Sequence, residues 1–554
     1  METAHSQKFL SKRMRNIEKG YHFMSQTLYF NGTILTMDEP LFAESVLTED
    51  GKILSVGNLK DLQDAADEDV TYFDLQGQTM LPAFLDAHSH FSGYANSLLQ
   101  VPLEECSSAE EIIDKIRQFL SSASLSEEQW VICKGYDHNQ LPNHTHIDRF
   151  ILDQASNSHP IVVQHKSGHL GIFNSCALSR LGITSDTPVP DGGVIGQKDG
   201  VLTGYMEENA FIQVLSSVPM PSAKELMEAF VKAQQRYASY GITTIQEGMM
   251  PDSLIPLYQA LLSNHLLNLD VVGYVDAKNS EKICSCFPTH LRQYENHFKI
   301  GGYKIFLDGS PQGRTAWMRT PYLDSDGYCG YPTISEEEIF SVLEKAQKNK
   351  MQLLAHCNGD AACAQYLSCI DTFQEKGGHL KELRPVMIHS QLLDYDQLDL
   401  VKKLGVIPSF FVAHVYHWGD THIKNFGLSR ASRISPAASS FKKEILFTFH
   451  QDAPVIEPDI LETIWCAANR MTKAGILLGA DEQLPVLEAL KAVTIHAAYQ
   501  YFEENQKGSI TPGKFADFVI LSDNPLKIEK ENLRSIKVCH TIKQDRIIYS
   551  KSEK

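Results

Sequence analysis

Several things are missing from this chain of 554 residues, and each absence closes off a class. No stretch approaches the roughly 18 consecutive apolar residues of a membrane helix, so a membrane protein is not expected. Cysteine is sparse: eleven residues scattered from Cys106 to Cys539, with only Cys284 and Cys286 close together. That is neither the density of a disulfide-stapled secreted scaffold nor the paired spacing of a zinc knuckle, and it fits a reducing, cytoplasmic setting. Positive charge is in deficit, with 50 Lys+Arg against 68 Asp+Glu and a net charge of −18, which argues against nucleic acid or an anionic membrane as partner. The basic residues Lys8, Lys12, Arg13, Arg15 and Lys19 are not followed by an apolar run, so the start does not read as a secretory signal. Internal repeats and low-complexity segments are also lacking. What is present is 43% hydrophobic residues, enough for a large buried core.

Residues 1–25 are polar and read as a loose or helical leader. From Gln26 short β-like runs follow, punctuated by Asn31-Gly32 and Asp50-Gly51, and the same texture returns only after residue 500, in GSITPGKFADFVILSD and IKVCHTIKQDRIIYS. Two β-rich ends around a long middle predict one small sheet domain made from 26–81 plus 500–554. The middle, 82–499, alternates strands such as PIVVQH, GITTIQE, DVVGYVD, YKIFLDG, QLLAHCN, PVMIHSQ, VIPSFF and EILFTFHQD with helical stretches. That alternation predicts an α/β fold with a parallel sheet, open or closed into a barrel. About 100–235 shows few clear strands for its length and is expected to hold an insertion.

The chemistry sits where strands end. Leu85-Asp86-Ala87-His88-Ser89-His90 closes the first strand with two histidines one residue apart. His356 closes QLLAH, His389 closes PVMIH, and Asp452 closes ILFTFHQD. Each histidine alone reads as a core or surface residue. In a (β/α)8 barrel, however, the C-terminal strand ends share one pocket, where four histidines and a carboxylate suit Zn²⁺ or a similar divalent ion. Lys304 lies inside a mostly apolar strand; it either snorkels or pairs with Asp308, or is carboxylated by CO₂ to a carbamate that bridges two metals. Asp452 before Ala453-Pro454 would also suit a helix N-cap. Arg314, His169, His414, His417 and Trp418 are candidates to contact substrate, whereas Asp360 reads as orienting its loop. Asp481 is set aside in favour of Asp452, because the His-x-Asp-x-Pro run at 450–454 is the tighter pattern.

The run from Leu81 to His90 resembles the Pro-Gly-Phe-Ile-Asp-x-His-x-His opening of the amidohydrolase superfamily, with Ala83 where glycine is usual. Lys304, His356, His389 and Asp452 fall in the order that superfamily uses, and GSITPGKFADFVIL resembles its return into a β-sandwich. DGSPQGRTA, HCNGDAA, HVYHWGDTH and HQDAPV resemble the amidohydrolase-3 group, which includes N-substituted formamide deformylases. The resemblance implies a TIM-like (β/α)8 barrel with a small β-sandwich. It implies two Zn²⁺ ions held by His88, His90, His356, His389 and Asp452 and bridged by carboxylated Lys304. The implied activity is hydrolysis of an amide-type C–N bond, in an N-substituted formamide or related N-acyl amine, by a metal-activated hydroxide, with Asp452 as the proton shuttle. The expected partner is a small-molecule amide, and a homodimer is compatible with the resemblance. Two other readings stay open: a mononuclear deaminase of a heterocyclic amine, and a non-catalytic binding protein on the same fold.

Overall fold

The computed structural model describes residues 26–123, 125–219 and 221–551; the leader expected at 1–25 lies outside them. Its centre is an eight-stranded sheet: β1 (Phe84–Leu85), β2 (Ile242–Met250), β3 (Asp270–Asp276), β4 (Phe298–Phe306), β5 (Gln352–Cys357), β6 (Val386–His389), β7 (Ile407–Phe410) and β8 (Thr448–Phe449). The strands lie side by side in chain order, and every neighbouring pair is parallel. Their residues are almost all buried and mostly apolar, as strands covered on both faces require, with buried polar side chains such as Gln246, Glu247 and Lys304 among them. The sheet curls. Asp452 N donates to His88 O at 3.2 Å and His90 N to Ala453 O at 2.8 Å, joining the segments that follow its two edge strands.

Local signals set the helices between these strands. Glu336–Asn349 starts on a capping box, in which Glu338 N donates to Ser335 Oγ and Ser335 N to the Glu338 carboxylate, with three glutamates in the first turn. β8 is shorter than the EILFTFHQD run suggests. Ile445 N is taken by Ser440 O, so the chain there still wraps the end of the helix Ala437–Lys442.

The chain-end segments form two further sheets. Gln26–Phe30, Ser45–Glu49, Lys52–Gly57 and Thr71–Asp74 make one; Thr33–Leu35, Phe42–Ala43, Thr79–Pro82, Phe518–Leu521, Val538–Lys543 and Arg546–Ser550 make the other. Tyr29, Val46 and Ile53 of the first share a core with Ile34, Met80, Phe518 and Ile542 of the second. Thr79–Pro82, antiparallel to Phe518–Leu521, runs straight into β1 and so delivers His88 and His90.

The described chain forms two compact units, one from the residues up to Phe91 and from Gln234 onward, the other Ser92–Ala233. The second is not poor in strands, as the sequence suggests. It holds a six-stranded mixed sheet in the order Gly193–Lys198, Val201–Glu207, Leu170–Phe173, Ile161–His165, Val131–Tyr136, Gln100–Pro102. The run PIVVQH belongs here and not to the parallel sheet. Glycines that interrupt the apolar alternation hide these strands; at Gly204, φ is +86° and a Cβ would meet Phe173 O at 2.2 Å. Among the described residues no helix is long and apolar enough to cross a membrane.

Candidate active site

Most of the polar residues singled out by the sequence converge beyond the C-terminal ends of the parallel strands. Asp452 Oδ1 lies 3.5 Å from His88 Nε2 and 3.4 Å from His90 Nε2, and Asp452 Oδ2 lies 3.9 Å from His389 Nε2. His389 Nε2 is also 3.2 Å from His356 Nδ1, and Lys304 Nζ is 3.3 Å from His88 Nε2. Lys304 does not pair with Asp308. That carboxylate is consumed by the backbone N–H groups of Asn358 (2.9 Å), Gly359 (2.7 Å) and Trp317 (3.0 Å), which fix the turn carrying His356. Gly359 is obligatory in that turn, because a Cβ there would stand 1.9 Å from Trp317 O. Asp452 is not a helix cap; the next helix, Ile460–Asn469, is capped by Asp459.

Burial dominates the electrostatics. It drives the imidazoles of His88 and His389 well below the ordinary histidine range, and that of His356 to about 3, with Lys304 adding to the effect at His88 and His356. These rings are neutral and each offers a lone pair. Burial also pulls Lys304 down to about 7, against the opposing charge of Asp452. Asp452 Oδ1 is buried and has no hydrogen-bond donor among the described residues. A carboxylate oxygen without a partner among the described residues, facing imidazole nitrogens, suits a divalent cation, and these residues could hold one. His389 (φ 72°) and Asp452 (φ 56°) both sit in the left-handed region, a strain of about 1–3 kcal/mol each that is common at functional positions.

Three supporting residues were given no role in the sequence reading, although His450 lay within its His-x-Asp-x-Pro run. Gln246 Nε2 donates to Ala87 O (2.7 Å) and Tyr501 Oη (2.9 Å), which turns its Oε1 to His88 Nδ1 at 2.6 Å. The His88 proton is thereby held on Nδ1 and the Nε2 lone pair faces the centre. His450 and Ser409 stand behind His389 (His389 Nδ1 to His450 Nε2, 3.1 Å; His450 Nδ1 to Ser409 Oγ, 3.0 Å). The available signals were polar residues inside apolar strands, Gln246 in GITTIQE above all.

The expected substrate contacts fare differently. His414 is buried, bonded to His422 (3.0 Å) and packed on Trp418 (4.5 Å between rings); Phe411 stands between this pair and His389. His417 is paired with Glu462 at 2.8 Å. Arg314 Nε donates to Asn425 Oδ1 at 2.9 Å. Asp360 accepts from Arg319 N at 2.8 Å, and Asp481 is exposed. His169 belongs to the Ser92–Ala233 unit, where it is exposed and paired with Glu208 at 3.1 Å. The same unit brings Asp137, His138 and His165 together. There Ser167 N donates to His165 Nδ1 at 3.1 Å, so the His165 proton is on Nε2 and is given to His138 Nδ1 at 3.2 Å, while Lys166 takes the Asp137 carboxylate. That group is satisfied by its own hydrogen bonds.

An α/β protein with a curled parallel sheet and a histidine–carboxylate centre beyond its C-terminal strand ends is built as a hydrolase of one broad class. The chain belongs to the amidohydrolase family, whose profile matches residues 71–549. Among its relatives, the N-substituted formamide deformylase of Arthrobacter pascens is 24% identical over 548 residues, covering 94% of this chain and 97% of its own. Protein LONG AFTER FAR-RED 3 of Arabidopsis thaliana is 27% identical over 525 residues, covering 90% and 88%. An uncharacterized metal-dependent hydrolase from Pyrococcus horikoshii OT3 shares the fold, with a TM-score of 0.72 at 23% identity over 91% of this chain and 99% of that one.

Proposed function

We propose that this amidohydrolase is a metal-dependent hydrolase of amide-type C–N bonds, acting on N-substituted formamides or closely related N-acyl amines. The observation that carries the metal dependence is the convergence of His88, His90 and His389 on Asp452, with His356 against His389; Asp452 Oδ1 is buried without a donor among the described residues. The substrate class is supported by family membership and by the likeness to the Arthrobacter deformylase. We read the curled sheet of 82–499 as a (β/α)8 barrel with an insertion, and the two chain-end sheets as a β-sandwich, on the strength of the joined sheet edges and the shared core.

In this reading His88, His90, His356, His389 and Asp452 would hold two divalent ions, zinc by choice of ligands. The chemistry such an ion would supply when bound is polarisation of a carbonyl oxygen and a more acidic water. Lys304, whose amine is partly unprotonated near neutrality, could add to CO₂ with release of one proton, and its carbamate would then supply further anionic oxygen donors to the same centre. Asp452 accepts a proton from the attacking water and returns it to the departing amine nitrogen, so that amide and water give carboxylic acid and amine. Neutral histidines suit this role because they add no positive charge beside the cations.

The test is a hydrolysis screen of the metal-loaded protein over N-substituted formamides, N-acyl amines, hydantoins and aryl esters. Formate and free amine released from a formamide is the expected result. No turnover of any amide, with rapid deamination of a heterocycle instead, would reverse the assignment.

A further inference from the structure

His389 has two ring nitrogens with different company. Nε2 faces His356 Nδ1 at 3.2 Å and Asp452 at 3.9 Å, while Nδ1 faces His450 Nε2 at 3.1 Å. His450 is wholly buried, and its other nitrogen meets Ser409 Oγ at 3.0 Å. We propose that His450 is a positioning residue, a neutral histidine that accepts the Nδ1–H of His389 and donates its own Nδ1–H to Ser409, thereby holding the Nε2 lone pair of His389 toward the metal centre. The inference rests on the metal-dependent reading above.

Proton counting fixes the direction of these hydrogen bonds. A neutral imidazole offers a lone pair on one nitrogen only when the other carries the proton, and a buried N–H needs an acceptor. For His389 Nε2 to be a ligand, its Nδ1 must be N–H, and among the described residues the only side-chain nitrogen or oxygen it is bonded to is His450 Nε2. His450 Nε2 must then be the acceptor, and its Nδ1–H passes to Ser409 Oγ. The hydroxyl can end the chain as donor or acceptor, so Ser409 does not set its direction; a cation at His389 does. In the opposite direction His389 carries its hydrogen on Nε2 and cannot ligate.

The backbone makes such a device necessary. His389 is the last residue of β6 and already in the left-handed region, so regular strand geometry does not aim its ring. The relay spans three neighbouring strands: Ser409 of β7 pairs with Ile388 of β6 and Thr448 of β8. His450 N is itself held by Phe410 O at 3.3 Å. Side chains that orient a ligating histidine are worth about 10–100-fold in metal affinity.

The test compares His450→Gln, whose Oε1 can accept from His389, with His450→Met, of similar length and without an acceptor, and with His450→Phe, which keeps the ring volume. Zinc affinity is measured by competition with a chromophoric chelator, beside the melting temperature of each metal-free variant. The Met and Phe variants should bind about 10–100-fold more weakly, with Gln within a few-fold of the parent and all three melting alike. Parental affinity in a folded Met or Phe variant, or a Gln variant as weak as Met, would overturn the relay. A parent that binds no divalent metal would instead overturn the reading on which it rests.

Discussion

Asp452 Oδ1 stands 3.5 Å from His88 Nε2, buried and with no hydrogen donor, although His88 is itself held by Gln246 from the other side. On the proposed reading, a carboxylate in that position would both complete a cation site and serve as the proton shuttle. Asp452→Asn is therefore expected to keep the fold and most of the metal but to lose turnover by about 10²–10⁴-fold or more. Steady-state kinetics with metal content measured on the same sample decide it; activity within a few-fold of the parent returns Asp481 to candidacy.

Lys304 carries the two-metal reading. Lys304→Ala should lose one or both metals and nearly all activity, and short carboxylic acids or bicarbonate should restore part of it. Lys304→Arg should fail, since a guanidinium stays charged and forms no carbamate. Mass spectrometry of the intact chain under CO₂ and electron density at Lys304 check the modification. A bare ammonium beside a single metal would end this reading.

Gln246 connects His88 with Ala87 and Tyr501. Gln246→Leu removes the acceptor of the His88 Nδ1–H and leaves buried polar groups unpaired. The expected cost is about 1–3 kcal/mol of stability and about 10–100-fold in metal affinity, read by urea unfolding of the metal-free protein and by chelator competition. Loss of stability with unchanged affinity would reduce Gln246 to a packing residue.

At the opposite end of the sheet, Asp270 at the start of β3 is buried between Lys507 and Lys543, each 2.6 Å away, and beside His297 at 2.7 Å. Burial alone would raise its pKa, but the two lysines outweigh it and hold the carboxyl well below the usual range. The folded pKa is thus lower than the unfolded one. The stabilisation is fully present above the ordinary value of about 3.9 and is lost as the pH falls through and below it, because the unfolded chain takes the proton first. Asp270→Asn should cost about 3–5 kcal/mol at pH 7, a difference that shrinks toward pH 3. Denaturation of both proteins from pH 7 to 3 tests this; a constant difference would contradict it.

The α/β alternation and the succession His88, His90, Lys304, His356, His389, Asp452 were legible because apolar strands that end in metal-capable residues leave a one-dimensional pattern. Contacts across strands left none. Gln246 lies 158 residues from His88, and Ser409 lies 41 from His450, so only the sheet register brings these partners together. The six-stranded sheet of the Ser92–Ala233 unit was hidden for a related reason, since its short strands carry glycine and exposed polar positions that break the expected alternation. Arg314 and His169 looked like substrate contacts by residue type alone, yet Asn425 and Glu208 already engage them.

The central claim is that amide hydrolysis here depends on divalent metal held by the histidine–Asp452 centre. The most direct measurement is elemental analysis of the purified protein paired with formamide hydrolysis, before chelation, after it, and after metal is restored. The account predicts about two equivalents of divalent metal per chain, as the His₄–Asp–carbamate ligand set implies, with activity that disappears on chelation and returns with zinc. Undiminished hydrolysis by the metal-free chain would contradict it.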